Sequence, residues 1–243
     1  DDAIRHTTQF VQANVPPQGE SNMDAARYNL GYSYLYKENY RSAQTQFDAV
    51  CNSAASATTP LKKDAYLRLG DASYMLREFS KASTVYNAVI KQGWPSADYA
   101  MYQTAMIAGV SSSAEKINIM QQLEKLYPAS SLIQDANFEM AQTYIADERF
   151  SSAIPFLNKI LTAPEGAFKP KAYLKLGLVH YNTGNNREAL NQYTTLIERY
   201  PRTPEAEEAM GIVKDIYVEE NKLNDYLALM RKVGRDVDAT EAD

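Results

Sequence analysis

The stretch Lys171–Pro201, KAYLKLGLVHYNTGNNREALNQYTTLIERYP, reads as two short amphipathic helices joined by a turn. In the first half Ala172, Leu176, Val179 and His180 recur at spacings of three and four, which places them on one helix face. Thr183-Gly184-Asn185-Asn186 interrupts that pattern, because Gly184 can take the left-handed conformation that closes a helix. Asn185 is positioned to cap the next helix, with Glu188 three residues on at capping-box spacing. That helix sets Ala189, Tyr193, Leu196 and Ile197 on one side and ends at Pro201. Neither helix is long enough to persist alone in water, so the pair must stack on something.

More of the same pattern supplies the partner. Gly177 stands twelve residues before Ala189; Gly31, Gly70 and Ala141 stand twelve before Ala43, Ala82 and Ala153. Phe47, Tyr86, Leu157 and Tyr193 each follow the alanine by four, and Val50, Val89, Ile160 and Leu196 by seven. Small residues at both marks let two antiparallel helices approach closely, and the large ones fill the space beneath. The chain is a helical repeat array with a loose period: 39 from Gly31 to Gly70, 36 from Ala141 to Gly177 and 34 from Gly177 to Gly211.

These marks resemble the tetratricopeptide repeat (TPR) family: large-small on a first helix (A), then Ala and an aromatic on a second (B), then Pro. Leu176-Gly177, Ala189, Tyr193 and Pro201 meet the pattern; so do Leu30-Gly31 with Tyr34, Ala43 and Phe47, and Leu69-Gly70 with Ala82 and Tyr86. Met140-Ala141 with Tyr144, Ala153 and Leu157 adds another copy. The resemblance implies an all-α fold, a right-handed α-α superhelix of about six helix pairs plus an N-terminal helix. Residues 1–243 would form a single solenoid, in which each unit contacts only its neighbours. Its units would be residues 24–54, 63–93, 98–128, 135–163 and 171–201, with a degenerate closing unit at 205–233.

Several stretches depart from the pattern. No Trp stands at the family's helix-A aromatic mark, and Trp94 falls in a loop. In the third unit Thr104 and Lys116 replace the small residues. In the last, Gly211 keeps the helix-A mark and Leu223 stands where the alanine belongs. Residues 1–18 read as a lone helix B of a truncated repeat, with Phe10 and Val11 on one face and Pro16-Pro17 ending it; a capping helix is the alternative. Residues 52–60 form a small polar connector, and the acidic tail 236–243 is expected to be disordered. The chain begins at Asp1 without Met, so it is expected to be a processed piece of a longer one.

A net charge of −5 and a pI near 5.2 argue against a nucleic-acid partner, which would want a basic face. No apolar run approaches the roughly 18 residues of a membrane span. One cysteine, Cys51, excludes an internal disulfide. Eighteen tyrosines against one tryptophan, with Tyr-Pro endings at Tyr127-Pro128 and Tyr200-Pro201, resemble TPR proteins of the bacterial cell envelope. That likeness implies a periplasm-facing location, with the cytoplasm as the alternative.

The chain carries no phosphate-cradling glycine loop, nucleophile elbow or metal-ligand spacing, so no enzyme and no cofactor or metal is expected. His180 is read as a packing side chain and Cys51 as an inert thiol. The family's arrangement puts the working surface on the concave helix-A face, and carries it here to Tyr28, Tyr32, Tyr36, Asp71, Tyr74, Met101, Tyr102, Gln142, Lys171, Lys175 and Tyr181. Tyrosines there can bind a peptide at small entropic cost, or can simply pack between repeats. The chaperone-type carboxylate clamp is absent as a set: its first positions fall on Tyr28, Tyr32 and Arg68, and only Lys171 and Lys175 resemble the rest. The expected function is a non-enzymatic scaffold that binds a protein or peptide segment in this groove. A glycan- or peptidoglycan-binding module, or a sensor or assembly segment of a larger regulatory protein, is the alternative.

Overall fold

The computed structural model describes residues 2–13, 21–54 and 59–235. Pro16-Pro17, part of the polar connector and the acidic tail 236–243 lie outside the described residues. The chain divides into two compact units, Asp1–Ser130 and Ser131–Asp243. The first holds α1 (Asp2–Ala13), α2 (Ser21–Tyr36), α3 (Tyr40–Cys51), α4 (Pro60–Met75), α5 (Phe79–Lys91), α6 (Ala97–Ala108) and α7 (Ser113–Leu126). The second holds α8 (Ile133–Ala146), α9 (Phe150–Thr162), α10 (Phe168–Asn182), α11 (Asn186–Arg199), α12 (Pro204–Glu219) and α13 (Leu223–Lys232). Among the described residues there is no strand. Within each unit every helix packs on its successor, and helices A of consecutive pairs also touch: α2 on α4, α8 on α10, α10 on α12.

The helices begin where capping chemistry permits. Thr59 and Thr203 accept the backbone N–H groups of Lys62 and Ala206, with Pro60 and Pro204 at the first helical turn. Asn39, Ser112 and Asn185 cap α3, α7 and α11 in the same way. Inside each pair the small helix-A residue lies against the helix-B aromatic. A Cβ added to Gly31, Gly70 or Gly177 would stand 2.8, 2.5 or 2.4 Å from a ring carbon of Phe47, Tyr86 or Tyr193. Those three rings are fully buried. The glycines are therefore set by proximity, not by helix propensity, which would favour alanine by about 1 kcal/mol.

The A–B turns give a sharper register than the small residues do. Glu38, Arg77, Glu148, Gly184 and Asn221 all take positive φ, between 55° and 73°. In each case the next residue donates its N–H to the carbonyl five positions back in the helix-closing pattern of such turns: Asn39 to Tyr34, Glu78 to Ser73, Arg149 to Tyr144, Asn185 to His180 and Lys222 to Tyr217. The acceptor follows Gly31, Gly70, Ala141 and Gly177 by three, so Lys214 is the corresponding mark of the last pair. The expected marks Gly211 and Leu223 are thereby corrected by three residues. Gly211 is exposed and a Cβ added there would meet nothing within 4 Å, while Val213, Ile216, Tyr226 and Met230 are buried.

The third pair needs a smaller correction. Ala105, not Thr104, is the buried small residue of α6: Gly109–Ser112 turns without a left-handed residue, and the small-residue mark stands eleven, not twelve, before Lys116. Met101 consequently points into the core, and is not on the groove face. Two further regularities support these registers. Alanines Ala65, Ala100, Ala136, Ala172 and Ala209, each five before its mark, are all fully buried. Acids seven before the mark hold the segment after helix B of their own pair: Ser53 donates to Asp24 at 2.6 Å, Ser130 to Asp98 at 2.5 Å and Arg235 to Glu207 at 2.9 Å.

Gly177→Ala should destabilise the protein by about 1–3 kcal/mol, because forcing Tyr193 aside outweighs the gain in helix propensity. Gly211→Ala, in open space, should be neutral or slightly stabilising. Urea unfolding of the two variants measures the difference; equal effects would refute the corrected register.

Candidate functional site

In the first unit the helix-A face carries a connected polar network. Asp64, Arg68 and Asp71 lie at spacings of four and three along α4, and so share one face. Arg68 donates to Asp71 at 2.5 Å and to Asp64 at 3.3 Å. Asp64 also accepts the hydroxyls of Tyr28 at 2.7 Å and Tyr32 at 2.6 Å from α2. Asp71 accepts those of Tyr86 at 2.7 Å from α5 and Tyr99 at 2.9 Å from α6. The Tyr28 and Tyr32 rings meet edge to face with centroids 4.9 Å apart, and the Arg68 guanidinium lies 5.9 Å from the Tyr32 centroid. This network joins three successive helices A through buried or half-buried charge.

Electrostatics follow from that geometry. Burial alone would raise the Asp64 carboxyl, but the Tyr32 and Tyr28 hydrogen bonds and the Arg68 charge outweigh it and hold Asp64 below the usual carboxylate range. For Arg68, burial opposes the charge and the two carboxylates more than restore it. Burial first, then the adjacent Asp71, push the Tyr86 and Tyr99 hydroxyls well above the phenol range, so both remain donors. Cys51, buried at the end of α3, has its thiol pushed up to about 12, chiefly by burial and then by Asp48.

The remaining expected residues fall in varied surroundings. Tyr36 is 92% exposed, whereas Tyr74 is half-buried against Phe79 at 5.7 Å, and Tyr102 is half-buried on α6. In the second unit Gln142 is half-buried on α8. Lys171 is exposed on α10, its Nζ 5.4 Å from the Phe168 ring centroid; Lys175 is half-buried one turn further on, and Tyr181 is 41% exposed. Among the described residues neither lysine forms an ion pair, unlike Arg68 at the position matching Lys175. Asp64 and Tyr99 are the residues of this network that the sequence reading of the helix-A face left out. The spacing of Asp64 from Arg68 and Asp71 was a usable signal for the first.

Residues 28–105 and 171–203 match models of the tetratricopeptide repeat. Among curated proteins none matches in sequence. Solved structures do match in fold. The C-terminal part of a TPR repeat-containing protein from Cytophaga hutchinsonii aligns at TM-score 0.74 and 16% identity, covering 99% of this chain and 92% of that one. A tetratricopeptide repeat protein from Parabacteroides merdae aligns at 0.62 and 18%, covering 90% and 82%. YrrB, described as a TPR protein with an unusual peptide-binding site, aligns at 0.56 and 14%, covering 84% and 96%. The two matched segments are tetratricopeptide repeats by these models, and the chain shares the all-α solenoid fold of those structures. Among the described residues no helix is long and apolar enough to cross a membrane.

Two predictions follow from the network. Tyr86→Phe should cost about 1–2 kcal/mol by removing a donor to a charged acceptor. Tyr193→Phe, at the same mark but with a hydroxyl that meets no partner among the described residues, should be neutral or stabilising; chemical denaturation compares them. Asp64 has a lowered folded-state pKa, so its contribution is complete above the usual carboxylate range and is lost as pH falls below about 4. Asp64→Asn should therefore flatten the acid limb of the stability profile, and an unchanged limb would contradict the network's role.

Proposed function

We propose that the chain works without covalent chemistry as a protein-interaction scaffold, holding an extended or helical partner segment against its helix-A faces. The observation that carries this reading is Lys175 on α10, which forms no ion pair among the described residues, when the matching cation of α4, Arg68, is neutralised by two carboxylates. A charge kept on a helix face without an ion pair is available to an incoming group. Tyr36 and Tyr181 support the same reading: large, rigid and exposed, they offer contact area at small entropic cost. The fold likeness to YrrB, a peptide-binding TPR protein by its description, points the same way.

A benzophenone amino acid placed singly at Tyr36, Lys175 and Tyr181, and at the exposed helix-B positions Thr84 and Asn158, tests this in extract of the source cell. Cross-links to one protein from the helix-A positions and not from the helix-B ones are expected. Cross-links confined to helix B would overturn the assignment of the working face.

A further inference from the structure

The seam between α11 and the α12–α13 turn lacks a set of bonds that the first unit makes at the same stations. In the first unit Arg41 donates to Oε1 of Glu78 at 2.6 Å and Gln44 donates to Oε2 at 2.5 Å. Gln44, itself buried, also donates to the buried Ser73 hydroxyl at 3.0 Å. Glu78 thus ties the start of α3 to the turn that follows α4. It is the residue after the left-handed Arg77, and Lys222, after the left-handed Asn221, holds that station in the last pair. Arg187 and Leu190 stand where Arg41 and Gln44 do, two before and one after the helix-B alanine. Tyr217 stands where Ser73 does, each accepting the N–H that closes its turn.

Each change works against closure. A lysine replaces the carboxylate at Glu78's station, and it turns instead to Glu220 at 2.6 Å. A leucine replaces the amide that donates from Gln44. Arg187 is exposed and forms no ion pair among the described residues. In place of the bonded seam there is a hollow of about 570 Å³, lined by Arg187, Leu190, Tyr217 and Lys222 together. That lies within the range of small-molecule sites, about 300–1,000 Å³.

The lining narrows the chemistry. Two cations border the place that a carboxylate fills in the first unit, so the ligand that fits carries a carboxylate. Glu188 and Glu220, both half-buried, line the same hollow. Ionised acids accept hydrogen bonds and do not donate them, so they disfavour a bare anion and favour a ligand with hydroxyls to give. Asn191 lines the hollow with an exposed amide, both donor and acceptor. Thr194 already donates its hydroxyl to the Leu190 carbonyl at 2.7 Å and so offers an acceptor. Leu190 and the Tyr217 ring, both half-buried, supply an apolar wall for the C–H face of a ring. The structure assigns this hollow as a binding site for a hydroxylated carboxylate of the sugar-acid class, a hexuronate unit being the simplest. Its carboxylate is held by Arg187 and Lys222, its hydroxyls by Glu188, Asn191 and Thr194, and its ring lies against Tyr217. The site uses none of Tyr36, Lys175 or Tyr181 and stands independently of the docking face.

The test uses the whole chain, isotope-labelled for amide NMR, with glucuronate, glucose and acetate as probes. Glucuronate should shift the amides of residues 187–194 and 217–222 saturably. Glucose, which lacks the carboxylate, and acetate, which lacks the ring, should each bind about tenfold more weakly or less. Arg187→Gln, at an exposed position, should bring glucuronate down to the level of glucose. Lys222→Glu restores the first unit's carboxylate opposite Arg187 and should abolish glucuronate binding. Thr194→Trp, which fills the hollow without changing its charge, should do the same, with circular dichroism confirming that each variant keeps its helices. Acetate binding as tightly as glucuronate would mean an adventitious ion only and would overturn the proposal. Equal binding of glucose and glucuronate, shifts indifferent to both Lys222→Glu and Thr194→Trp, or no shift from any probe would overturn it as well, and none of these bears on the cross-linking test of the helix-A face.

Discussion

Everything in this protein depends on how closely one helix can approach another within a pair. At Gly31, Gly70 and Gly177 the aromatic ring of helix B sits where a methyl group would otherwise be. That contact fixes the distance between the two helices, and the larger residues around it fill the core at that distance. Where alanine replaces glycine, as at Ala141, a smaller partner, Leu157, replaces the ring. The pair is then a unit that cannot bury its remaining apolar face alone, and stacking on the next pair follows from the same hydrophobic requirement.

Stacking makes the polar network of the first unit possible. Tyr28 and Tyr32 reach Asp64 because α2 and α4 touch, and Tyr99 reaches Asp71 because α6 follows α5. Arg68 is stable half-buried only because two acids and a ring surround it. In the second unit Lys175 occupies the station of Arg68 without that surround.

The two registers that the sequence misplaced share a cause. Counting twelve residues between small side chains works when the turn between helices is of one kind. It fails at the third pair, where Gly109–Ser112 lacks the left-handed residue, and at the last, where Lys214 and Tyr226 occupy the small-residue stations. Gly211 attracted the reading because glycine at helix-A marks is diagnostic elsewhere. The turn signal was harder to see, since four of the five left-handed positions are Glu, Arg, Glu and Asn, and only Gly184 announces itself. The alanines five before each mark were legible throughout and would have placed both pairs correctly.

The amino-acid sequence by itself determined that the chain is all-helical and that its helices come in pairs. Those features depend on periodicity, capping residues and small-large complementarity, which are local or repeat at fixed spacing. The tertiary structure decided which charges are satisfied and which are not. Tyr86 and Tyr193 look alike in the sequence, and only the neighbour after each glycine separates a bound hydroxyl from an unpaired one. Lys175 and Arg68 likewise share a station, but Asp64, which helps to neutralise Arg68, is itself held by Tyr28 and Tyr32 of a different helix. A side chain's partners depend on distances between segments far apart in the chain, and those distances exist only once the helices have packed.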